Sequence, residues 1–196
     1  MNIRPALALL EFDSIAAGIV AGDAMAKRAP IDLIKAGTVQ PGKYLVLIGG
    51  LTADLEEAID AARNAESDRL IDIVFLPDVH PDVVAAVSGV RRTDEGEALG
   101  VIETNTVAAT IRAADAGVKG ARVTLRELRM ADGLGGKGYL LFGGPVAEVE
   151  AAVAIGSGRV PGELVRETVI AQLHPELLEN LSADGRFERV VRLDEE

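Results

Sequence analysis

ALALLEFDSIAAGIVAGDAMAKRAP, Ala6–Pro30, returns 92 residues downstream as ALGVIETNTVAATIRAADAGVKGAR, Ala98–Arg122. A second pair of anchors, LPDVHPDVVAAV from Leu76 and IAQLHPELLENL from Ile170, is offset by 94 residues. The repeat thus spans Ala6–Val87 and Ala98–Leu181. It is a domain duplication, because solenoid repeats have periods of roughly 20–50 residues. The offset grows by two between the anchors, and the copies fail to align only at a glycine-rich turn, Thr38–Gly42 against Asp132–Gly138. The two extra residues are expected there.

Each copy switches periodicity in the same order. Ala6–Glu11 and Leu99–Glu103 are apolar runs of strand length. Asp13-Ser14 and Asn105-Thr106 follow, residue types that cap helix N-termini by accepting from unbonded N–H groups. In the next segment Ile15, Ile19 and Ala26, matched by Val107, Ile111 and Val118, return to one helical face, the kind of stripe that faces a core. Pro30 ends the first of these helices. Ile31–Ala36 pairs with Tyr44–Ile48, and Val123–Met130 with Tyr139–Phe142, as hairpins with long glycine-rich tips. A second helix carries Leu51, Leu55, Ala58, Ile59 and Ala62, matched by Val146, Val149, Ala152 and Val153, with Pro145 suited to its first turn. Strands at Leu70–Leu76 and Leu164–Ile170 close the units.

The order β-α-β-β-α-β predicts an α+β fold of two tandem ferredoxin-like domains, each an antiparallel sheet with helices on one face. Residues 1–88 form the first domain and 98–196 the second, joined by a polar linker at 89–97. The closing GRFERVVRLDEE carries Phe187, Val190, Val191 and Leu193, which suit either an added strand or loose packing.

Composition narrows the function. The chain has 196 residues, 48% of them hydrophobic, enough for two small cores. It has no Cys, so disulfides, thiolate metal sites and cysteine-ligated iron–sulfur clusters are excluded. No apolar run approaches the roughly 18 residues of a membrane span, and Glu11 and Asp13 interrupt the N-terminal apolar run too early for a signal peptide. A cytoplasmic protein with no membrane partner is expected. A net charge of −11 argues against the polyanionic backbone of nucleic acid, and 3% aromatics leave little to stack on bases.

The ordered set of LxxxE, a cap, a helix with a terminal Lys, a glycine-rich hairpin, Gly-Gly and a second alanine-rich helix occurs twice. Its helix motifs read Asp23-Ala24-Met25-Ala26-Lys27 and Ala113-Ala114-Asp115-Ala116-Gly117-Val118-Lys119. In this the chain resembles the bacterial microcompartment shell domain, in its tandem, unpermuted, trimer-forming type, over nearly its whole length. The resemblance implies a non-enzymatic tile in the shell of a cytoplasmic microcompartment. It further implies a homotrimer forming a pseudohexagon, other shell proteins and enclosed enzymes as neighbours, and a central pore for small polar metabolites. It brings no cofactor and no metal.

The resemblance also assigns sites. The hairpin tips point at the ring axis, so Thr38, Val39, Gln40, Pro41 and Gly42 line the pore with Asp132, Gly133, Leu134, Gly135, Gly136 and Lys137. Glycines suit such a rim because a Cβ would collide there, and Gln40, Asp132 and Lys137 would set its polarity. Taken without the repeat, both tips are ordinary glycine turns. Lys27 and Lys119 become tile-edge residues, their stems lying along the neighbouring tile. The family's edge arginine is replaced by Asp78 and Gln172, and an acidic Asp78 would favour a basic neighbour.

Enzyme chemistry finds no support. His80 and His174 each precede a proline and lack a second ligand at metal spacing, so both read as structural, leading into a short helix. Glu11 and Glu103 stand at strand-to-helix junctions and suit hydrogen bonding to a helix start. Gly133–Gly138 suggests a phosphate loop, but it joins two strands, whereas phosphate loops lead into a helix N-terminus. The alternative function is a ligand-binding or regulatory module with a cleft between duplicated domains.

Overall fold

Ala6–Phe12 is buried along its whole length, and this strand, β1, organises the first domain. The computed structural model describes residues 6–93 and 96–183; the closing GRFERVVRLDEE lies outside them. The first copy continues with α1 (Ile15–Arg28), β2 (Leu33–Val39), β3 (Lys43–Gly50), α2 (Thr52–Glu66), a 3-10 turn at Ser67–Arg69, β4 (Leu70–Leu76) and α3 (Pro81–Val87). The second repeats the order as β5 (Ala98–Thr104), α4 (Val107–Gly120), β6 (Thr124–Met130), β7 (Gly138–Gly144), α5 (Val146–Ser157), β8 (Leu164–Ala171) and α6 (Pro175–Ala183). The sheets are antiparallel, in the orders β2-β3-β1-β4 and β6-β7-β5-β8. A register shift at Glu11/Phe12 recurs at Glu103/Thr104. Ser14 and Thr106 are the N-caps, accepting from the N–H groups of Ala17 and Ala109. Pro145 stands one place earlier than expected, at the N-cap of α5. Among the described residues no helix is long and apolar enough to cross a membrane.

Both faces of the first sheet are covered. Ala6, Ala8, Leu10 and Phe12 join the core beneath α1 and α2, while Leu7, Leu9, Leu47 and Val74 on the opposite face join the core of the second domain. A strand buried on two faces needs an unbroken apolar run, and ALALL supplies it. The second domain rests α4 against β4 and β1, and α3 reaches back against β6 and α4.

The helix faces differ from expectation. The buried side of α1 is Ala17, Gly18, Ala21, Gly22 and Met25, while Ile15 and Ile19 face solvent. Small residues let the helix sit close to its own sheet, and the bulky aliphatic stripe is left pointing outward. In α4 the matching Val107 and Ile111 are buried.

At one matched contact the two copies place the larger side chain on opposite elements. Gly18 of α1 lies under Tyr44 of β3, and a Cβ there would meet Tyr44 Cδ1 at 2.4 Å. At the matching positions the second domain has Thr110 on the helix and Gly138 on the strand, where a Cβ would meet Thr110 Oγ1 at 2.1 Å. Gly138→Tyr alone overpacks this site and should cost about 1–3 kcal/mol or more. Thr110→Gly alone should cost about 0.3 kcal/mol in helix propensity, since Thr is itself a poor helix former, plus its hydroxyl contacts with Thr104 and the Thr106 carbonyl. The double variant rebuilds the Gly18–Tyr44 pairing. Denaturant unfolding of all four proteins should therefore give a favourable coupling of at least about 1 kcal/mol.

Candidate functional site: the seam between the copies and the hairpin tips

Glu11 stands next to last in an apolar strand, yet its side chain is fully buried because the second domain completes its surroundings. One carboxylate oxygen accepts from Lys43 Nζ at 2.7 Å, and the other from the backbone N–H of Val107, the first residue of α4, at 2.8 Å. The helix start that this carboxylate serves belongs to the other copy. There it meets unbonded N–H groups and the positive end of the helix dipole. Burial pushes the Glu11 pKa upward, opposed by Lys43 and by the Val107 and Ala108 N–H groups. Lys43 also donates to the carbonyls of Gly136, at 3.2 Å, and Asn105, at 3.4 Å.

More polar contacts line this seam. Thr106 Oγ1 donates to Asp72 Oδ2 at 2.6 Å, and Arg112 of α4 reaches Asp72 Oδ1 at 3.2 Å and the Ile73 carbonyl. Asp115 accepts from the His80 backbone N–H at 2.8 Å and from Lys119 at 2.7 Å, and Lys119 also donates to the Asp78 carbonyl. His80 itself caps α3, its Nδ1 accepting from the Asp82 N–H at 3.2 Å. Thr106 is the expected cap, but Asp72 and Arg112 belong to no motif; a charged residue flanked by apolar ones in a strand or helix is the signal that marks each.

Lys43 ties the two hairpin tips together. A Cβ on Gly136 would stand 3.0 Å from Pro41 Cδ and 3.1 Å from Lys43 Nζ. The strand register places Thr38 and Val39 inside β2, opposite Tyr44 and Lys43. Their partners in the second copy are Met130 and Ala131, not Asp132 and Gly133. The first tip is thus only Gln40–Gly42, shorter than expected because strand pairing extends to Val39. The second tip loops through Asp132–Gly136, which holds the two extra residues, with Gly133, Gly135 and Gly136 at positive φ. Lys137 turns back to Glu103, 2.9 Å away. Lys27 is exposed and paired with Asp23 at 2.6 Å. Gln172 is exposed, its backbone N–H donating to the Glu97 carbonyl at 2.8 Å.

The matched elements differ in what covers them. Ile15 and Ile19 are 41% and 54% exposed, against 0% for their counterparts Val107 and Ile111. Ile34 of β2 is 47% exposed and Leu125, opposite the same register position in β6, only 2%. Leu177 of α6 is 49% exposed, while its counterpart Val83 in α3 is fully buried. One copy of the seam is closed within the chain; the elements of a second copy, α1, β2 and α6, stand open.

Removing the Lys43 ammonium leaves Glu11 buried with backbone donors only. Lys43→Met should cost roughly 3–5 kcal/mol at neutral pH, as for other broken buried pairs. An acid whose pKa is raised on folding favours the folded state below its unfolded value and loses that contribution as pH rises through its folded one. The variant's deficit should therefore shrink as pH falls through the raised Glu11 pKa toward 4.5, the ordinary carboxylate value. Urea unfolding of both proteins across that range checks the slope.

The chain is similar to proteins of known kind along most of its length. Residues 6–79 and 98–173 each match the model of the BMC domain. A bacterial microcompartment shell protein of Citrobacter freundii, PduT, is 41% identical over 171 residues, covering 86% of this chain and 93% of that one. The crystal structure of a microcompartment protein from Desulfitobacterium hafniense DCB superposes with a TM-score of 0.78 at 40% identity, covering 89% of this chain and 98% of that one. The fused permuted hexameric shell protein MSM0275 of the RMM microcompartment shares the fold, with a TM-score of 0.58 at 20% identity over 80% of this chain and 84% of its own. The chain belongs to the BMC-domain family of bacterial microcompartment shell proteins, as a member with two copies of the domain in tandem.

Proposed function

We propose that three copies of this shell protein close head to tail into a flat homotrimeric ring of six domains, which tiles with other shell proteins around enclosed enzymes. The observation that carries this reading is the open second half-seam. Ile15, Ile19, Ile34 and Leu177 are exposed where their counterparts are buried, and burying one such side chain is worth about 1.5–3 kcal/mol. The seam is heterologous, with different surfaces meeting, and such contacts close into rings when their rotation divides a full turn. Six domain positions need three tandem chains.

In this ring the tips, Gln40–Gly42 and Asp132–Gly136, converge on the axis as a pore for small polar metabolites, with Thr38, Val39 and Lys137 flanking them. Polar groups at Gln40, Asp132 and Lys137 would govern its passage, as rings of such groups do in channels. Lys27 and Lys119, with Asp78 and Gln172, lie toward the tile edge. The competing reading, a ligand-binding module, finds little room: the groove lined by Leu9, Gly37, Val39, Leu45, Leu47 and Met130 is about 170 Å³, below the several hundred Å³ of typical ligand sites.

Sedimentation velocity should give three times the chain mass in a flat particle, and a monomer at high concentration would overturn the ring. Gly135 sits at φ +61°, where any side chain is strained, so Gln40→Trp and Leu134→Trp are the cleaner pore probes. Both should leave the trimer intact and reduce metabolite flux through assembled shells at least severalfold. Unchanged flux places the route elsewhere. Lys27→Ala should weaken sheet formation, seen by electron microscopy, without dissociating trimers.

A further inference from the structure

The buried lock of the intrachain seam has an unfilled duplicate. Glu103 and Lys137 occupy the repeat positions of Glu11 and Lys43 and form the same ion pair, at 2.9 Å against 2.7 Å. Their settings differ. The Glu11 and Lys43 side chains are 0% and 17% exposed, those of Glu103 and Lys137 36% and 48%. Glu11 spends its second oxygen on the first N–H of α4; among the described residues the corresponding helix start for Glu103 is that of α1, which lies on the far side of the open half-seam. We infer that the Glu103–Lys137 pair is the receiving half of an intermolecular lock, seating the N-terminus of α1, at Ile15, of a second copy of this chain.

Other contacts transfer by the same offsets. Asp23 corresponds to Asp115, and His174 to His80, so Asp23 accepts from the His174 backbone N–H of the neighbouring copy as Asp115 does from His80 within the chain. Ser14 corresponds to Thr106, and Arg166 to Asp72, a match fixed by the pairing of Glu11 with Asp72 and of Glu103 with Arg166. The donor and acceptor therefore exchange roles. Thr106 donates its hydroxyl to Asp72, whereas Ser14 accepts from the Arg166 guanidinium, using a hydroxyl lone pair that the Ala17 N–H leaves free. Arg112, the ion partner of Asp72, is matched by Val20, which is 48% exposed in the single chain. The two seams share apolar contacts and the Glu–Lys lock, and they differ in this one charged cluster.

The inference rests on the ring reading, and cross-linking separates the two. The chain has no native Cys, so Ser14→Cys/Arg166→Cys carries the only thiols. A short bismaleimide should join it into covalent dimers and trimers on denaturing gels. Asp72→Cys/Thr106→Cys, placed on the closed seam, should link within one chain, adding a single reagent and running as a monomer on the same gels. A mixture of Ser14→Cys chains with Arg166→Cys chains should yield dimers alone, and neither variant should link to itself. Glu103→Ala should weaken trimer association about 10- to 100-fold per seam, the weight of a hydrogen bond to a charged group. Trimers by sedimentation without the Ser14–Arg166 link, self-linking single variants, or unaltered association of Glu103→Ala would overturn the lock and leave the ring. A monomeric wild-type chain would overturn both.

Discussion

A carboxylate held between a lysine and the first turn of a helix from another domain is the constraint on which the molecule depends. Glu11 is buried with Lys43 on one oxygen and Val107 N–H on the other. Burial of a charge is costly unless it is paired and hydrogen-bonded, and neither domain supplies all of the partners alone. The lock therefore couples the fold of each copy to its docking against the other. It fixes the start of α4 over β1 and β4, and it carries Lys43 to the Gly136 carbonyl, where the two tips meet. Geometry at the tips follows from geometry at the seam.

Duplication also explains why α1 is shaped as it is. A helix that packs only on its own sheet would turn its largest apolar residues inward. Here Ala17, Gly18, Ala21 and Gly22 face the sheet, and Ile15 and Ile19 face away. A bulky outward stripe next to an inward small one belongs to a helix with two apolar neighbours, and α4 has both. Exposed aliphatics of this kind mark interaction surfaces when they cluster.

Much of this was legible in the sequence. Two strands, a hairpin and two helices per copy follow from periodicity, caps and glycines, and the two extra residues fall in the second tip, as the offsets of 92 and 94 require. The face of α1 was misread because hydrophobic spacing identifies an apolar stripe without saying which neighbour covers it. Thr38 and Val39 looked like turn residues, since strand pairing that runs up to Lys43 leaves no local signature. The reading of Glu11 as a helix-start acceptor holds, its carboxylate taking the Val107 N–H, while within the chain Glu103 meets Lys137. That the helix lies in the other copy was hidden, because Glu11 is 96 residues from Val107 and spacing in sequence carries no information at that range.

Divergence between the copies falls into two physically distinct kinds. In the cores it is compensated: Gly18 makes room for Tyr44, and Gly138 for Thr110, so each larger side chain has a glycine across from it. At the tips it is uncompensated. Three residues face five, and the longer tip carries three glycines at positive φ, which a side chain would strain. A lengthened tip has no partner substitution to balance it, and its backbone is held beside Pro41 and Lys43 of the shorter one. A single-domain chain repeated around a ring would present six equal tips. A tandem chain presents two unequal tips tied by one lysine, so the chemical difference between the copies lies where those tips meet.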